Sequence, residues 1–126
     1  MGSLVRVVNR TRATLLAARA SHADRLWGRM RGLLGSAPLA RGEGMVLEPC
    51  LSVHTFFMRY PIDVVFTARD GRVVGLVEAL GPWRVTALYP SARRAVELPA
   101  GTVAATSTVP GDVLLVEPLG GSCDSS

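Results

Sequence analysis

Cys50, His54 and Asp63 are the residues whose types could do covalent chemistry, and all three fall in one stretch, Gly44 to Phe66. A thiol beside an imidazole, with a carboxylate to orient the ring, is the arrangement of a Cys-His hydrolase or transferase, with Cys50 as nucleophile and His54 as base. Four-residue spacing would put Cys50 and His54 on one face of a helix. Pro49 and the β-branched residues nearby oppose a helix, so spacing alone does not bring them together. Against this catalytic reading stands a plainer one, in which Cys50 is a small buried hydrophobe and His54 bonds the backbone in a turn. The balance leans away from an enzyme.

Asp63 interrupts an apolar run, Ile62 to Phe66, and a carboxylate there has to be paired or hydrogen-bonded. Arg59, Arg84 and backbone N–H groups are its available partners, and fixing the turn at Tyr60-Pro61 is its simplest role. Phe56, Phe57, Met58, Tyr60 and Trp83 form an aromatic group suited to lining a pocket, although strand alternation sends Phe56 and Met58 one way and Phe57 the other. The binding candidates are therefore His54, Phe56, Met58, Arg59, Asp63, Trp83 and Arg84. A metal centre needs three or four ligands. Beyond Cys50 and His54 only Glu43, Glu48, Asp63, His22 and Cys123 are on offer, with no second Cys-x-x-Cys or His-x-His, so neither metal nor cofactor is expected. There is no glycine-rich phosphate loop and no Gly-x-Ser-x-Gly elbow.

Charge is unevenly spread. All 14 basic residues are Arg; residues 1–41 carry eight of them against Asp24 alone, while residues 42–126 carry six against nine acids. An anionic partner could meet the first third through Arg25, Arg29 and Arg31, with Arg93 and Arg94 as a second basic pair. Nucleic-acid binding is not expected, because it wants basic residues interleaved with exposed aromatics and here the aromatics mostly follow the Arg-rich part. At 126 residues, 48% hydrophobic and 19% charged, the chain has room for one core and not two. The start lacks the apolar core and cleavage site of a secretory signal, and Arg interrupts every run long enough to span a membrane, so the expectation is a soluble, cytoplasmic, monomeric protein. Cys50 and Cys123 lie far apart, which argues against a structural disulfide.

The elements that must position these residues are mostly strands. Leu4 to Asn9 and Thr14 to Ala18 read as a hairpin around Asn9-Arg10-Thr11-Arg12. Ser21-His22-Ala23-Asp24 resembles a capping box opening a helix over about residues 22–34, whose apolar stripe is Leu26, Met30, Leu33 and Leu34 and whose end is Gly35. His22 would then sit on the surface of its first turn. Met45 to Leu47 and Thr55 to Met58 read as strands, and Asp70-Gly71 joins Ile62–Ala68 to Arg72–Glu78 in a hairpin. Val85 to Leu88, Arg94 to Leu98 and Val113 to Glu117 are further strands, with a helical turn over Thr102 to Ala105. The fold class is mainly β (α+β): an antiparallel barrel or sandwich of about seven or eight strands with one main helix and one short helical turn. Residues 1–118 make the single domain and 119–126 a flexible tail.

Arg29-Met30-Arg31-Gly32-Leu33-Leu34-Gly35, Gly44-Met45, the block from His54 to Phe66, Glu97-Leu98-Pro99-Ala100-Gly101-Thr102 and Gly111-Asp112 together resemble the domain of unknown function 192 family, over about residues 13–117. The resemblance implies a largely antiparallel β domain of barrel or sandwich type with one principal helix. It implies no activity, substrate or cofactor; His54, Met58, Pro61, Asp63 and Gly101 match its core motif and gain weight only in that sense. Many relatives carry an export signal, which is absent here. The leading expectation is a non-enzymatic binding or accessory module that holds a small ligand or a protein segment on the face around residues 50–63. The alternatives are the Cys50 hydrolase or transferase and, more weakly, an anion or nucleic-acid binder through the Arg-rich first third.

Overall fold

The computed structural model describes residues 3–23, 39–49, 52–53 and 60–119. Its strands are β1 (Ser3–Asn9), β2 (Thr14–Ala23), β3 (Glu43–Leu47), β4 (Ile62–Thr67), β5 (Val73–Leu80), β6 (Arg94–Pro99) and β7 (Leu114–Pro118), with one short helix, α1 (Thr102–Thr106). They form a single sheet in the order β5-β4-β6-β3-β2-β1-β7, mostly antiparallel. The sheet curls into a half-barrel. One pair, β2–β3, is parallel, with Ser21 opposite Met45. Parallel neighbours need a long connection, and residues 24–42 supply it.

Turn chemistry explains both expected hairpins. Asn9 faces Thr14 across β1–β2, and its side-chain Oδ1 accepts the Arg12 N–H at 3.0 Å, closing the turn. At the β4–β5 turn Asp70 Oδ1 accepts the Arg72 N–H and Gly71 adopts φ +91°. A Cβ on Gly71 would lie 2.3 Å from the Leu114 carbonyl oxygen. Glycine is needed there both for the turn and for the approach of β7. The Leu114 N–H donates to the Gly71 carbonyl at 2.8 Å and the Val73 N–H to the Asp112 carbonyl at 2.7 Å, so the two edge strands meet at one end. That contact blunts both edges.

The central strands are buried on both faces, which is why they read as near-continuous apolar runs. One face of β3, β4 and β6 sends Val46, Val65, Val96 and Leu98 into the concave core with Val5, Val7, Leu16, Val73 and Leu114. Their other face sends Met45, Leu47, Ile62, Val64, Phe66 and Ala95 into a second cluster, over which Val53, Tyr89 and Ala92 pack. Each of the larger of these side chains contributes about 1.5–3 kcal/mol by burial.

Two expectations shift. β2 runs on through Ser21 and His22 to Ala23, pairing His22 with Val46, where the sequence places the first turn of a helix. The register offered by β3 overrides the capping signal; the rest of that helix, to about residue 34, lies outside the described residues, as does the strand expected over Thr55 to Met58. Val85 to Leu88 form no regular strand beyond a single bridge at Val85. Pro82 and Pro90 bracket the segment, Trp83 takes a positive φ of 60°, and Val85 and Leu88 are exposed, so among the described residues its β-prone side chains join no regular ladder.

Candidate functional site

Asp63 is fully buried in β4, and backbone N–H groups meet its carboxylate. Oδ1 accepts from Ala79 at 2.8 Å; Oδ2 accepts from Gly101 at 3.1 Å and Val103 at 2.9 Å. The first bond holds the end of β5, where Ala79 takes φ 51°. The other two cap α1, whose own N-cap residue, Gly101, supplies no side-chain bond. Of the partners the sequence offers, backbone N–H groups are the ones seen among the described residues. The role is positional: Asp63 joins β4, β5 and α1, not only the turn at Tyr60-Pro61.

α1 in turn walls a cleft of about 620 Å³ between the start of β2, residues 41–42 and the segment Pro99 to Thr106. Leu15, Leu16, Ala18 and Ala105 give it an apolar side, and Thr14, Thr102 and Thr106 a polar one. The hydroxyl hydrogens are directed inward to the protein: Thr14 donates to the Thr106 carbonyl (3.0 Å), Thr102 to the Pro99 carbonyl (2.7 Å), and Thr106 to the Thr102 carbonyl (2.8 Å). Among the described residues Arg41 is the one ionisable side chain lining the cleft, and it makes no ion pair there.

Two further polar clusters flank this region. Asp112 Oδ2 accepts from the Asn9 amide (3.0 Å), the Arg12 Nε (3.1 Å) and the Val109 N–H (3.1 Å), while Asn9 Nδ2 also reaches Thr108 Oγ1. The Asn9 bond, aided by Arg12 and Val109 against the opposing effect of burial, holds the Asp112 carboxyl below its usual range. Glu48, at the end of β3, takes His22 Nε2 (3.1 Å) and Arg94 Nε (3.0 Å) on Oε1 and Arg93 Nε (3.4 Å) on Oε2. Burial pushes its carboxyl up, but Arg94, His22 and Arg93 more than offset that and hold it below the usual range.

Cys50, His54, Phe56, Met58 and Arg59 lie outside the described residues, and so do Arg25, Arg29 and Arg31. Trp83 and Arg84 are exposed on the loop after β5, away from the Asp63 carboxylate's bonds. His22 is not on a helix; it bonds Glu48 from β2. Arg93 and Arg94 are both engaged by Glu48. Among the described residues no three His, Cys, Asp or Glu side chains cluster as metal ligands. Of the cleft residues, Pro99 to Thr102 fall in a block that the family resemblance marks, whereas Arg41 and the start of β2 carry no local signal, because they come from distant segments.

Among the described residues, a half-barrel of seven strands with one short helix docked through a buried carboxylate defines a small β domain with a cleft beside that helix. The family model for DUF192, described as Uncharacterized ACR, matches residues 7–116, and the chain belongs to that family. It is 32% identical over 101 residues to a UPF0127 protein of Thermococcus sibiricus, covering 77% of this chain and 65% of that protein, so it spans just under two thirds of the relative's length. Two crystal structures share the fold. One, a protein of unknown function from Novosphingobium aromaticivorans, is 20% identical with a TM-score of 0.73 over 89% of this chain and 83% of that one. The other, described as a proposed transcription regulator from Sinorhizobium meliloti, is 22% identical with a TM-score of 0.75 over 92% and 94%. No helix among the described residues is long and apolar enough to cross a membrane.

Proposed function

We propose that this protein is a non-enzymatic binding module and that the cleft walled by β2, Arg41-Gly42 and α1 seats a small ligand. One observation carries the reading: a 620 Å³ cleft with an apolar side and, among the described residues, one cation without an ion pair is of the size and make-up of small-molecule sites, which run from ~300 to ~1,000 Å³. Asp63 supports it indirectly, since two of its bonds are spent on placing α1, and no acid–base pair lines the cleft among the described residues.

The test is a fragment screen followed by amide chemical shifts. Hits should perturb Gly101, Thr102 and Ala105, and Ala105→Trp, a change at an exposed helix position, should block them without unfolding the protein. Fragments that bind the wild type yet perturb none of these amides would place the site elsewhere.

A second location for the same kind of function is the face around residues 50–63. It is favoured by the loop after β5, where Trp83 is 60%, Val85 58% and Leu88 69% exposed. Its occupant would be a segment of another protein. Trp83→Ser separates the two: it leaves binding at the cleft untouched and abolishes binding on this face.

A further inference from the structure

We propose that the cleft selects small amphiphiles bearing one anionic group, a monocarboxylate with an apolar body being the simplest. This rests on the cleft being the binding site, and adds the chemical class of its ligand.

Three observations point to that class. First, the three threonine hydroxyls on the polar side already donate to protein carbonyls, so they can accept a hydrogen bond but have no hydrogen to give. A sugar or a nucleoside presents several hydroxyls and ring acceptors that need matching donors, and burying them unmatched is costly. Second, among the described residues the only side-chain donor left on the lining is the Arg41 guanidinium. It is planar, always charged, and without an ion pair among the described residues. Among the described residues no Asp or Glu lines the cleft, so the charge they give it is positive. Third, Leu15 is 49% exposed although it sits beside the core residue Leu16, and with Ala18 and Ala105 it gives an apolar surface next to that cation. A carboxylate takes the guanidinium and its hydrocarbon body covers Leu15, Ala18 and Ala105.

The test is calorimetric titration of the full chain with octanoate, 1-octanol, acetate and glucose. Octanoate should bind about tenfold tighter than octanol, a gap equal to one charge-assisted bond at a half-exposed site. Acetate and glucose should show no binding. Arg41→Gln, a surface change, should erase the octanoate advantage and leave octanol unchanged, and Ala105→Trp should weaken both. Equal affinity for octanoate and octanol, both lost in Ala105→Trp, would keep the cleft as a binding site and overturn the anionic preference. Binding of neither, or binding insensitive to Ala105→Trp, would overturn the cleft reading itself. Tight binding of glucose would overturn the ligand class.

Discussion

Asp63 on β4 and Val103 on α1 stand 40 residues apart and are joined by a 2.9 Å bond from the Val103 N–H to Oδ2. With Gly101 on the same oxygen and Ala79 on the other, one buried carboxylate satisfies three backbone donors from two elements. Asp63→Asn keeps the size but turns one acceptor into a donor that faces N–H groups. The expected loss is about 2–4 kcal/mol of unfolding free energy, read from a urea midpoint at unchanged slope. A loss within ~0.5 kcal/mol would mean that the carboxylate is not what holds α1.

Gly75 and Tyr89 make a second fixed relationship. Tyr89 stacks on Phe66 with ring centroids 4.3 Å apart, and Phe66 pairs with Gly75 across β4–β5. A Cβ at position 75 would fall 2.2 Å from Tyr89 Cε2. Gly75→Ala should therefore expel the ring and cost about 1–3 kcal/mol by overpacking. In the Tyr89→Ala background the same change should cost far less, since the clashing ring is gone. A double-mutant cycle with no coupling between the two positions would contradict this packing.

Local signals in the sequence account for most of this sheet. Asp70-Gly71 and Asn9 to Arg12 named both hairpins, and the apolar runs at Met45, Ile62 and Arg94 named β3, β4 and β6. Misreadings came where a local pattern met a non-local partner: Ser21 to Ala23 has a cap-like spacing, yet pairing with β3 keeps it extended. Val85 and Leu88 have β-prone side chains but form no regular strand among the described residues. Asp63 stood out as a carboxylate among apolar residues, but its donors lie 16 to 40 positions away and on the backbone, where no side-chain pattern advertises them. Arg41 was one Arg among 14 until the fold set it beside Leu15 and Ala105.

Acid should destabilise the protein in part through Asp112. Its carboxyl is held below the usual range in the fold by Asn9, Arg12 and the Val109 N–H. A group with a lowered folded pKa adds stability above its unfolded value, and that contribution drains away as the pH falls through the folded one. Thermal midpoints should fall from about pH 4 downward, near the ordinary carboxylate pKa. Asp112→Asn should lower the midpoint at pH 7 and flatten the acid limb, leaving the share that Glu48 contributes with the same sign. An acid limb as steep in Asp112→Asn as in the wild type would remove Asp112 as a cause.

Around Glu48 the geometry ranks two neighbouring arginines. Arg94 is 24% exposed and bonds Oε1 at 3.0 Å; Arg93 is 48% exposed and reaches Oε2 at 3.4 Å. Both pairs tie the start of β6 to the end of β3, where His22 brings in β2 as well. Partly exposed ion pairs are worth little, so each truncation should cost under about 1 kcal/mol, but the drier, shorter pair should lose more. Arg94→Ala is expected to lower the urea midpoint more than Arg93→Ala. Sodium chloride at ~1 M, where the screening length is ~3 Å, should shrink the charge-dependent part of both losses and leave what Arg94 contributes by packing. If Arg93→Ala costs the more, or if salt leaves both losses untouched, charge pairing on Glu48 is not what holds these strand ends together.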